Sequence, residues 1–224
     1  MKGIAAASLA GSARALGKRE RRKSATRAEL IRAGRQLFSE KGLYEARIED
    51  VAIEAGIAKG TVYTYFSDKD ELIRAVAAAA YAELEAQVAR SVRRVRSEPE
   101  VLRHAVRAHL EFFAANADLM RILHQVRGML KFDRPEWQPL RDTMNAYLAA
   151  LARILAVAPR LARMRAEDQR LLAGVLFGAI SGVTSVQATS ELHARGARGA
   201  RALVDSLAAM ALAYAGSAAV TPRR

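Results

Sequence analysis

The chain has 224 residues and a formal net charge of +13 at pH 7, because 36 Lys and Arg outnumber 23 Asp and Glu. This excess points to an acidic partner, either nucleic acid or an anionic membrane surface. The lack of cysteine excludes disulfides and thiolate chemistry and is compatible with a reducing cytosol. Hydrophobic residues make up 51% of the chain, only five residues are proline, and no stretch keeps a two-residue alternation, so we expect an all-α fold.

Residues 1–23 contain seven Lys or Arg and a single acid, Glu20, among glycines, serines and alanines. We expect this segment to be a disordered basic arm. The apolar run at residues 4–10 is too short for a signal peptide, and the basic cluster that follows it is poorly placed for export. The composition fits an arm that lies along DNA or enters a minor groove, and it fits a solvated tail equally well.

The first predicted helix starts at Thr26, because Thr26 and Glu29 have the spacing of a capping box. Gly42 supplies the stop signal that is expected just past a helix C-terminus. Apolar residues recur at helical intervals between these points and should form the buried face: Leu30, Ala33, Leu37 and Phe38.

The stretch from Arg47 to Leu72 is predicted to form two short helices joined at Gly56. The chain must turn there in the left-handed conformation, which glycine adopts at little cost. Two apolar sets at helical spacing can hold these helices together. They are Ile48, Val51, Ala52 and Ala55 in the first helix, and Ile57, Val62 and Phe66 in the second. The side chains left to face outwards are polar or aromatic and suit a groove edge and a row of phosphates: Lys59, Thr61, Tyr63, Thr64 and Tyr65.

The segment AKGTVYTYFSDKDEL, residues 58–72, closely resembles the recognition segment of TetR-family transcriptional regulators, and the resemblance extends back to Thr26. It implies an all-helical homodimer with an N-terminal DNA-binding domain and a larger domain that binds a small molecule and releases the operator. Carried onto this sequence, the resemblance assigns the following contacts: Lys59 and Gly60 to base edges, Thr61 to phosphate, Tyr63 to bases or the sugar-phosphate chain, and Thr64 and Tyr65 to the backbone. Tyr65 also holds a position that often packs inside such units.

Two further candidate contacts lie outside the second helix. Family members usually place a Thr-Ser or Thr-Thr pair before the first of the two helices, whereas this chain has Ala46 and Arg47. The missing cap costs about 1 kcal/mol, which Glu49 and Asp50 offset in part at the positive helix end. Arg47 fits either a phosphate contact or an ordinary surface arginine. Lys69, near the start of the next helix, is expected to bind phosphate.

A long helix is predicted from Asp68 towards Arg96, with Pro99 beyond its end. A continuous helix of that length can carry a displacement from a distant pocket to a DNA-binding head. Further helices are predicted at residues 99–115, 118–126, 136–157, 167–191 and 199–216.

Apolar and aromatic residues cluster in this second half, and some are candidates to line a cavity, although ordinary core packing explains each of them. The candidate ligand-binding residues are His109, Phe113, His124, Trp137, Met144, Tyr147 and Phe177. Their character suggests an apolar or aromatic effector. No metal site is expected, because His104 and His109 are five residues apart and face different sides of one helix.

The span from Leu171 to Ser190 has no charged residue and is long enough to cross a bilayer. Gly174, Gly178 and Gly182 recur every four residues, a pattern that lets helices approach closely in membranes and in tight soluble interfaces. Six hydroxyl or amide side chains make the span too polar for a membrane assignment. We therefore favour a buried dimerisation helix that forms a four-helix interface together with the last helix.

These features predict three segments: a basic arm at residues 1–23, a three-helix helix-turn-helix domain at 24–70, and a larger helical bundle for ligand binding and dimerisation at 71–224. The protein is predicted to be a cytoplasmic, ligand-responsive, sequence-specific regulator of transcription. We favour a repressor that a small molecule releases from a palindromic operator. No enzymatic activity or cofactor is expected, because no nucleophile–base pair or metal-ligand set has catalytic spacing. No membrane partner is expected, because the uncharged span at residues 171–190 is too polar. The alternative is an architectural DNA-binding protein that tolerates many sequences.

Overall fold

The computed structural model describes residues 2–130, 135–189 and 196–218. The chain divides into two compact units, Met1–Val76 and Ala77–Arg224, so the boundary lies slightly later than the predicted one at residue 70. The described ranges contain helices and no strand, which confirms the all-α prediction.

Four helices begin in the N-terminal unit: α1 Lys2–Glu45, α2 Ile48–Glu54, α3 Lys59–Tyr65 and α4 Lys69–Val92. Helix α1 begins at Lys2, so the backbone is already helical before the predicted start at Thr26. The assignment of residues 1–23 as a basic arm stays a prediction. The hydroxyl of Thr26 donates to the carbonyl of Arg22 at 3.0 Å instead of capping a helix. Residues 1–23 lack proline and are rich in alanine, lysine and arginine, which favour helix even where they are exposed.

The end of α1 bends at Gly42, whose φ of 82° and ψ of 165° lie outside the helical region. A residue with a side chain would be strained there, so the stop signal in the sequence has a physical basis. After the bend, Leu43 and Ala46 are buried while Tyr44 is exposed, and the chain enters α2 through Arg47.

The core of the N-terminal unit consists of the apolar stripes that the sequence predicts. The buried members are Leu30, Ala33, Leu37, Phe38, Ile48, Val51, Ala52, Val62 and Phe66, while Ala55 and Ile57 are half-buried. One close approach was not predicted: a Cβ at Gly34 would lie 3.3 Å from the side chain of Leu72. The absence of a side chain at Gly34 therefore lets α1 lie directly against the start of α4.

The start of α4 is capped by two carboxylates. Asp68 accepts a hydrogen bond from the backbone N–H of Glu71 at 2.7 Å, and Glu71 accepts one from the backbone N–H of Ser67 at 2.7 Å. These bonds lower the pKa of both carboxyls. The helix ends at Val92, short of the predicted Arg96, and Pro99 lies in the first turn of the next helix.

The C-terminal unit contains six further α-helices within the described ranges. They are α5 Glu98–Ala115, α6 Ala117–Met129, α7 Gln138–Leu155, α8 Pro159–Ala162, α9 Ala166–Thr189 and α10 Gly196–Ala218, with a short 3-10 turn at Pro135–Trp137. The predicted helices agree to within a few residues where the structure describes them, and the predicted end of α9 at Glu191 lies outside the described residues. The short helix α8 was not predicted.

Helix α10 packs against α5 and α9, and α9 also packs against α7 and α5. Polar residues of α9 are satisfied inside the helix, since the hydroxyls of Ser181 and Thr184 donate to the carbonyls of Phe177 and Ile180 at 2.7 and 2.9 Å. Among the helices of the described ranges, none combines the length and apolar character that a membrane span requires.

Candidate nucleic-acid interface and ligand site

The turn between α2 and α3 positions the candidate DNA-reading helix. Gly56 has a φ of 65°, the left-handed conformation predicted for it. The backbone N–H of Ile57 then donates to the carbonyl of Ala52 at 3.0 Å, which ties the turn to α2. With Val62 fully buried, α3 is held against α2 by one side, and its other side is left to solvent.

The outer side of α3 carries most of the predicted DNA contacts. Lys59, Gly60, Tyr63 and Thr64 are exposed, while Thr61 and Tyr65 are half-buried. A Cβ at Gly60 would meet nothing within 4 Å, so the backbone at this position is open to an approaching partner. The hydroxyl of Thr64 donates to the carbonyl of Gly60 at 3.2 Å and keeps its lone pairs free to accept.

The side chain of Lys59 is already engaged in the free protein. Its ammonium lies 2.6 Å from the carboxylate of Glu49 on α2 and 6.0 Å from the centre of the Tyr63 ring. The hydrogen bond between the ammonium of Lys59 and the carboxylate of Glu49 raises the pKa of Lys59 and lowers the pKa of Glu49. Both side chains are about half exposed, so solvent screens the attraction, and a DNA acceptor can compete for the lysine.

Arg47 stands at the N-cap of α2 in an extended conformation and makes no side-chain capping bond, as its residue type predicts. Its side chain is exposed. Glu49 and Asp50 occupy the first turn, and Asp50 pairs with Lys41 at 3.0 Å. The guanidinium of Arg47 is therefore presented beside the start of α2, where a phosphate contact remains a prediction.

Lys69 has a role that the sequence did not indicate. Its ammonium donates to the backbone carbonyls of Tyr44 and Ala46 at 3.1 and 3.2 Å. These carbonyls belong to the end of α1 and the loop that leads to Arg47. Lys69 therefore holds that loop in place, and the phosphate contact predicted for it would require exchange of these bonds.

The C-terminal unit brings together three of the seven predicted ligand residues. The rings of His109 on α5, Tyr147 on α7 and Phe177 on α9 have centroids 5.3–6.3 Å apart. Tyr81 on α4 completes this set, which we call the aromatic cluster, by stacking on Tyr147 at a centroid distance of 5.0 Å and an angle of 16°. All four rings are buried.

The hydrogen bonds of His109 define its protonation. Its Nδ1 lies 2.7 Å from the carbonyl oxygen of Ala105, which can only accept, so Nδ1 carries the proton. Nε2 is then an acceptor, and the hydroxyl of Tyr147 donates to it at 2.5 Å. Burial lowers the pKa of His109 to about 4, against the opposing effect of the bond to Ala105. The imidazole is therefore neutral at physiological pH.

Tyr81 is the functional candidate that the sequence prediction missed. Its side chain is buried, yet its hydroxyl has no hydrogen-bond partner among the described residues. A buried hydroxyl without a partner costs about 1–3 kcal/mol. Burial raises the pKa of Tyr81 to about 12, although the positive charge of Arg127 acts in the opposite direction. The phenol therefore stays protonated and can donate a hydrogen bond.

The other predicted ligand residues lie elsewhere in the C-terminal unit. Phe113 is buried and meets Phe112 edge to face, with centroids 5.7 Å apart. His124 is half-buried, and burial and the charge of Arg127 lower its pKa. Trp137, in the 3-10 turn, and Met144, on α7, are partly exposed. Across the described ranges, no group of three or more His, Asp or Glu residues is arranged to hold a metal ion.

Comparisons with known proteins show that the chain is similar to bacterial regulators of transcription. A family described as "Bacterial regulatory proteins, tetR family" matches residues 30–76. The HTH-type transcriptional regulator HbdR of Aromatoleum sp. (strain CIB) is 31% identical over 108 residues, covering 48% of this chain and 47% of HbdR. The matched part of the chain thus spans about half the length of that relative.

Two longer alignments extend into the C-terminal unit. The HTH-type transcriptional repressor BepR of Brucella suis biovar 1 (strain 1330) is 24% identical over 162 residues, covering 70% of this chain and 78% of BepR. The crystal structure of the transcriptional regulator FadR from Bacillus subtilis in complex with stearoyl-CoA superimposes with a TM-score of 0.66 at 19% identity, covering 84% of this chain and 98% of FadR. The FadR structure shares the fold of this chain.

Proposed function

We propose that this chain, which belongs to the TetR family of bacterial regulatory proteins, binds a specific DNA operator through α3 and represses transcription until a small molecule releases it. The observation that carries the proposal is the outer side of α3. One lysine, one open glycine and aromatic and hydroxyl side chains are exposed there, on a helix whose inner side is fixed in the core. A short helix of this kind fits the major groove.

The proposed contacts divide by chemistry. Lys59 donates to guanine acceptors, and Gly60 lets the helix backbone come close to the base edges. Hydroxyl and basic groups fix the register on the phosphates, which carry no sequence information themselves. In this group we place Arg47, Thr61, Tyr63, Thr64, Tyr65 and Lys69.

Dimerisation is proposed to use α9 and α10. A Cβ at Gly174, Gly178 or Gly182 would meet nothing within 4 Å, so this side of α9 is not covered by the described part of its own chain. Met210 on α10 and Leu171 on α9 are large apolar residues that remain exposed. A second copy related by a two-fold axis would cover both helices and place two α3 helices about 34–36 Å apart along one side of the DNA.

Release of the operator is proposed to begin in the aromatic cluster, with Phe113, His124, Trp137 and Met144 as further candidates for the ligand site. An effector lowers operator affinity only to the extent that it prefers the released conformation. Helix α4 carries Tyr81 of the cluster and begins beside the DNA-binding helices, so one element belongs to both units. The similarity of this chain to the repressor BepR, and to FadR in complex with stearoyl-CoA, supports this scheme. We place its action in the cytoplasm.

Selection of genomic fragments by the purified protein, at near-physiological salt, tests the proposal. Recovery of one short palindrome beside a small set of genes is the expected result. Broad recovery that disappears as the salt concentration rises would instead favour an architectural DNA-binding protein, because phosphate contacts alone are unselective and strongly salt-dependent.

A further inference from the structure

Two polar groups, one within the aromatic cluster and one at its border, lack a complementary polar partner in the part of the chain that the structure describes. The hydroxyl of Tyr81 makes no hydrogen bond. The guanidinium of Arg127 on α6 lies 5.6 Å from the centre of the Phe177 ring, and no carboxylate is found beside it in the described ranges. Both groups border the same ring, since Tyr81 meets Phe177 edge to face at 6.1 Å.

The neighbouring hydroxyl is not available in the same way. Tyr147 donates its proton to His109, whose other nitrogen is bonded to the carbonyl of Ala105. This chain of bonds fixes Tyr147 and leaves Tyr81 as the free donor of the stacked pair. The charge of Glu85 reaches Tyr147, but the charge that acts on Tyr81 is that of Arg127.

We infer that Tyr81 and Arg127 form the polar end of an effector site that takes an organic carboxylate with an apolar body. The carboxylate accepts a hydrogen bond from the phenol and gains the attraction of the guanidinium. The apolar body lies against the rings of Phe177 and Tyr147. A cationic ligand is disfavoured by Arg127, and a purely apolar ligand leaves the buried phenol unpaired.

This inference rests on the proposed effector role of the aromatic cluster, but its test is separate from DNA binding. Calorimetric titration of the full chain uses phenylacetate and decanoate as acids, with phenylacetamide and decanamide as neutral counterparts of the same shape. The two pairs distinguish an aromatic from an aliphatic body. We expect at least one acid to bind, and its amide to bind about tenfold more weakly or worse, because a hydrogen bond to a charged group is the stronger one.

Two variants locate the site. Tyr81→Phe removes a hydroxyl that has no partner, so the protein should fold normally while the acid binds about tenfold more weakly. Arg127→Gln should weaken the acid and leave the amide nearly unchanged. Arg107→Gln, which removes an exposed arginine of α5, is the matched control and should bind like the original protein.

The inference is overturned if neither acid binds, if the amides bind as well as the acids, or if both variants bind the acid as tightly as the original protein does. The proposed function fails in a different way. Acid binding that depends on Tyr81 but leaves the affinity for the recovered operator unchanged would keep the effector site and contradict ligand-controlled release.

Discussion

Removing a hydroxyl from each of two stacked tyrosines should lower stability in one case only. In Tyr147→Phe, Nε2 of His109 loses the donor that lies 2.5 Å away, and the imidazole is completely buried. The unpaired acceptor should destabilise the protein by about 1–3 kcal/mol. In Tyr81→Phe, the deleted hydroxyl has no partner. Stability should stay unchanged or rise by up to about 3 kcal/mol, the upper cost of burying an unpaired hydroxyl.

The two substitutions are matched in every other respect. Each converts tyrosine to phenylalanine in a buried ring, and the stacking of the rings at 5.0 Å is retained. The difference between the variants therefore reports the hydrogen bonds alone. For a chain of this length, 1 kcal/mol corresponds to a change in Tm of roughly 2–4 °C, so Tyr147→Phe should melt lower than Tyr81→Phe by at least about 2 °C.

Urea unfolding and thermal unfolding, both followed by circular dichroism at pH 7, measure the difference in the free energy of unfolding and in Tm. Protein concentration is held constant, because the apparent stability of a dimer depends on it. A double-mutant cycle with His109→Leu identifies the partner, since Tyr147→Phe should cost less where the imidazole is absent. Equal destabilisation by both tyrosine substitutions, or a larger loss from Tyr81→Phe, would show that Tyr81 has a partner in solution and refute the assignment.

Further predictions concern the pH dependence of stability, the binding of DNA and dimerisation. Burial lowers the pKa of His109 from 6.5 to about 4, so the unfolded chain binds a proton more readily than the folded protein between these values. The free energy of unfolding should therefore be highest above pH 6.5 and fall by up to about 3 kcal/mol as the pH falls to 4. In His109→Gln, urea titrations should show a flatter dependence of this free energy on pH between 6.5 and 4.5. Lys59→Ala should reduce the preference for the operator over random DNA in anisotropy titrations. Lys69→Ala should weaken both DNAs equally and also speed amide hydrogen exchange at the end of α1 and in the loop that follows it, where its two carbonyl partners lie. Gly178→Leu fits the open side of α9 in one chain, so it should fold and yet sediment as a monomer.

The DNA-reading helices follow from local signals in the sequence. Gly56 needs a positive φ, and the apolar spacing around Val51 and Val62 selects which side of each helix is buried. Both signals depend on a few neighbouring residues and require no contact with distant parts of the chain. The same local reasoning identified the missing cap at Arg47.

Composition alone does not decide the conformation of residues 1–23. Alanine, lysine and arginine are common both in solvated tails and in exposed helices, and no apolar stripe separates the two cases. The continuation of α1 to Lys2 therefore had no decisive signal in the sequence.

The contacts that were missed join residues far apart in the chain. Lys69 reaches carbonyls 23 and 25 residues earlier, and Tyr81 meets rings from α5, α7 and α9 only after the bundle has assembled. Within α4, Tyr81 stands beside a run of alanines and looks like an ordinary core residue. Its unpaired hydroxyl becomes visible only when every neighbour is in place.

The most direct measurement is hydroxyl-radical footprinting of the protein on a fragment recovered by the genomic selection. Two protected patches on one side of the duplex, with centres about one helical turn apart and lost in Lys59→Ala, are the predicted result. Uniform protection along the fragment, unchanged in that variant, would contradict sequence-specific reading by α3.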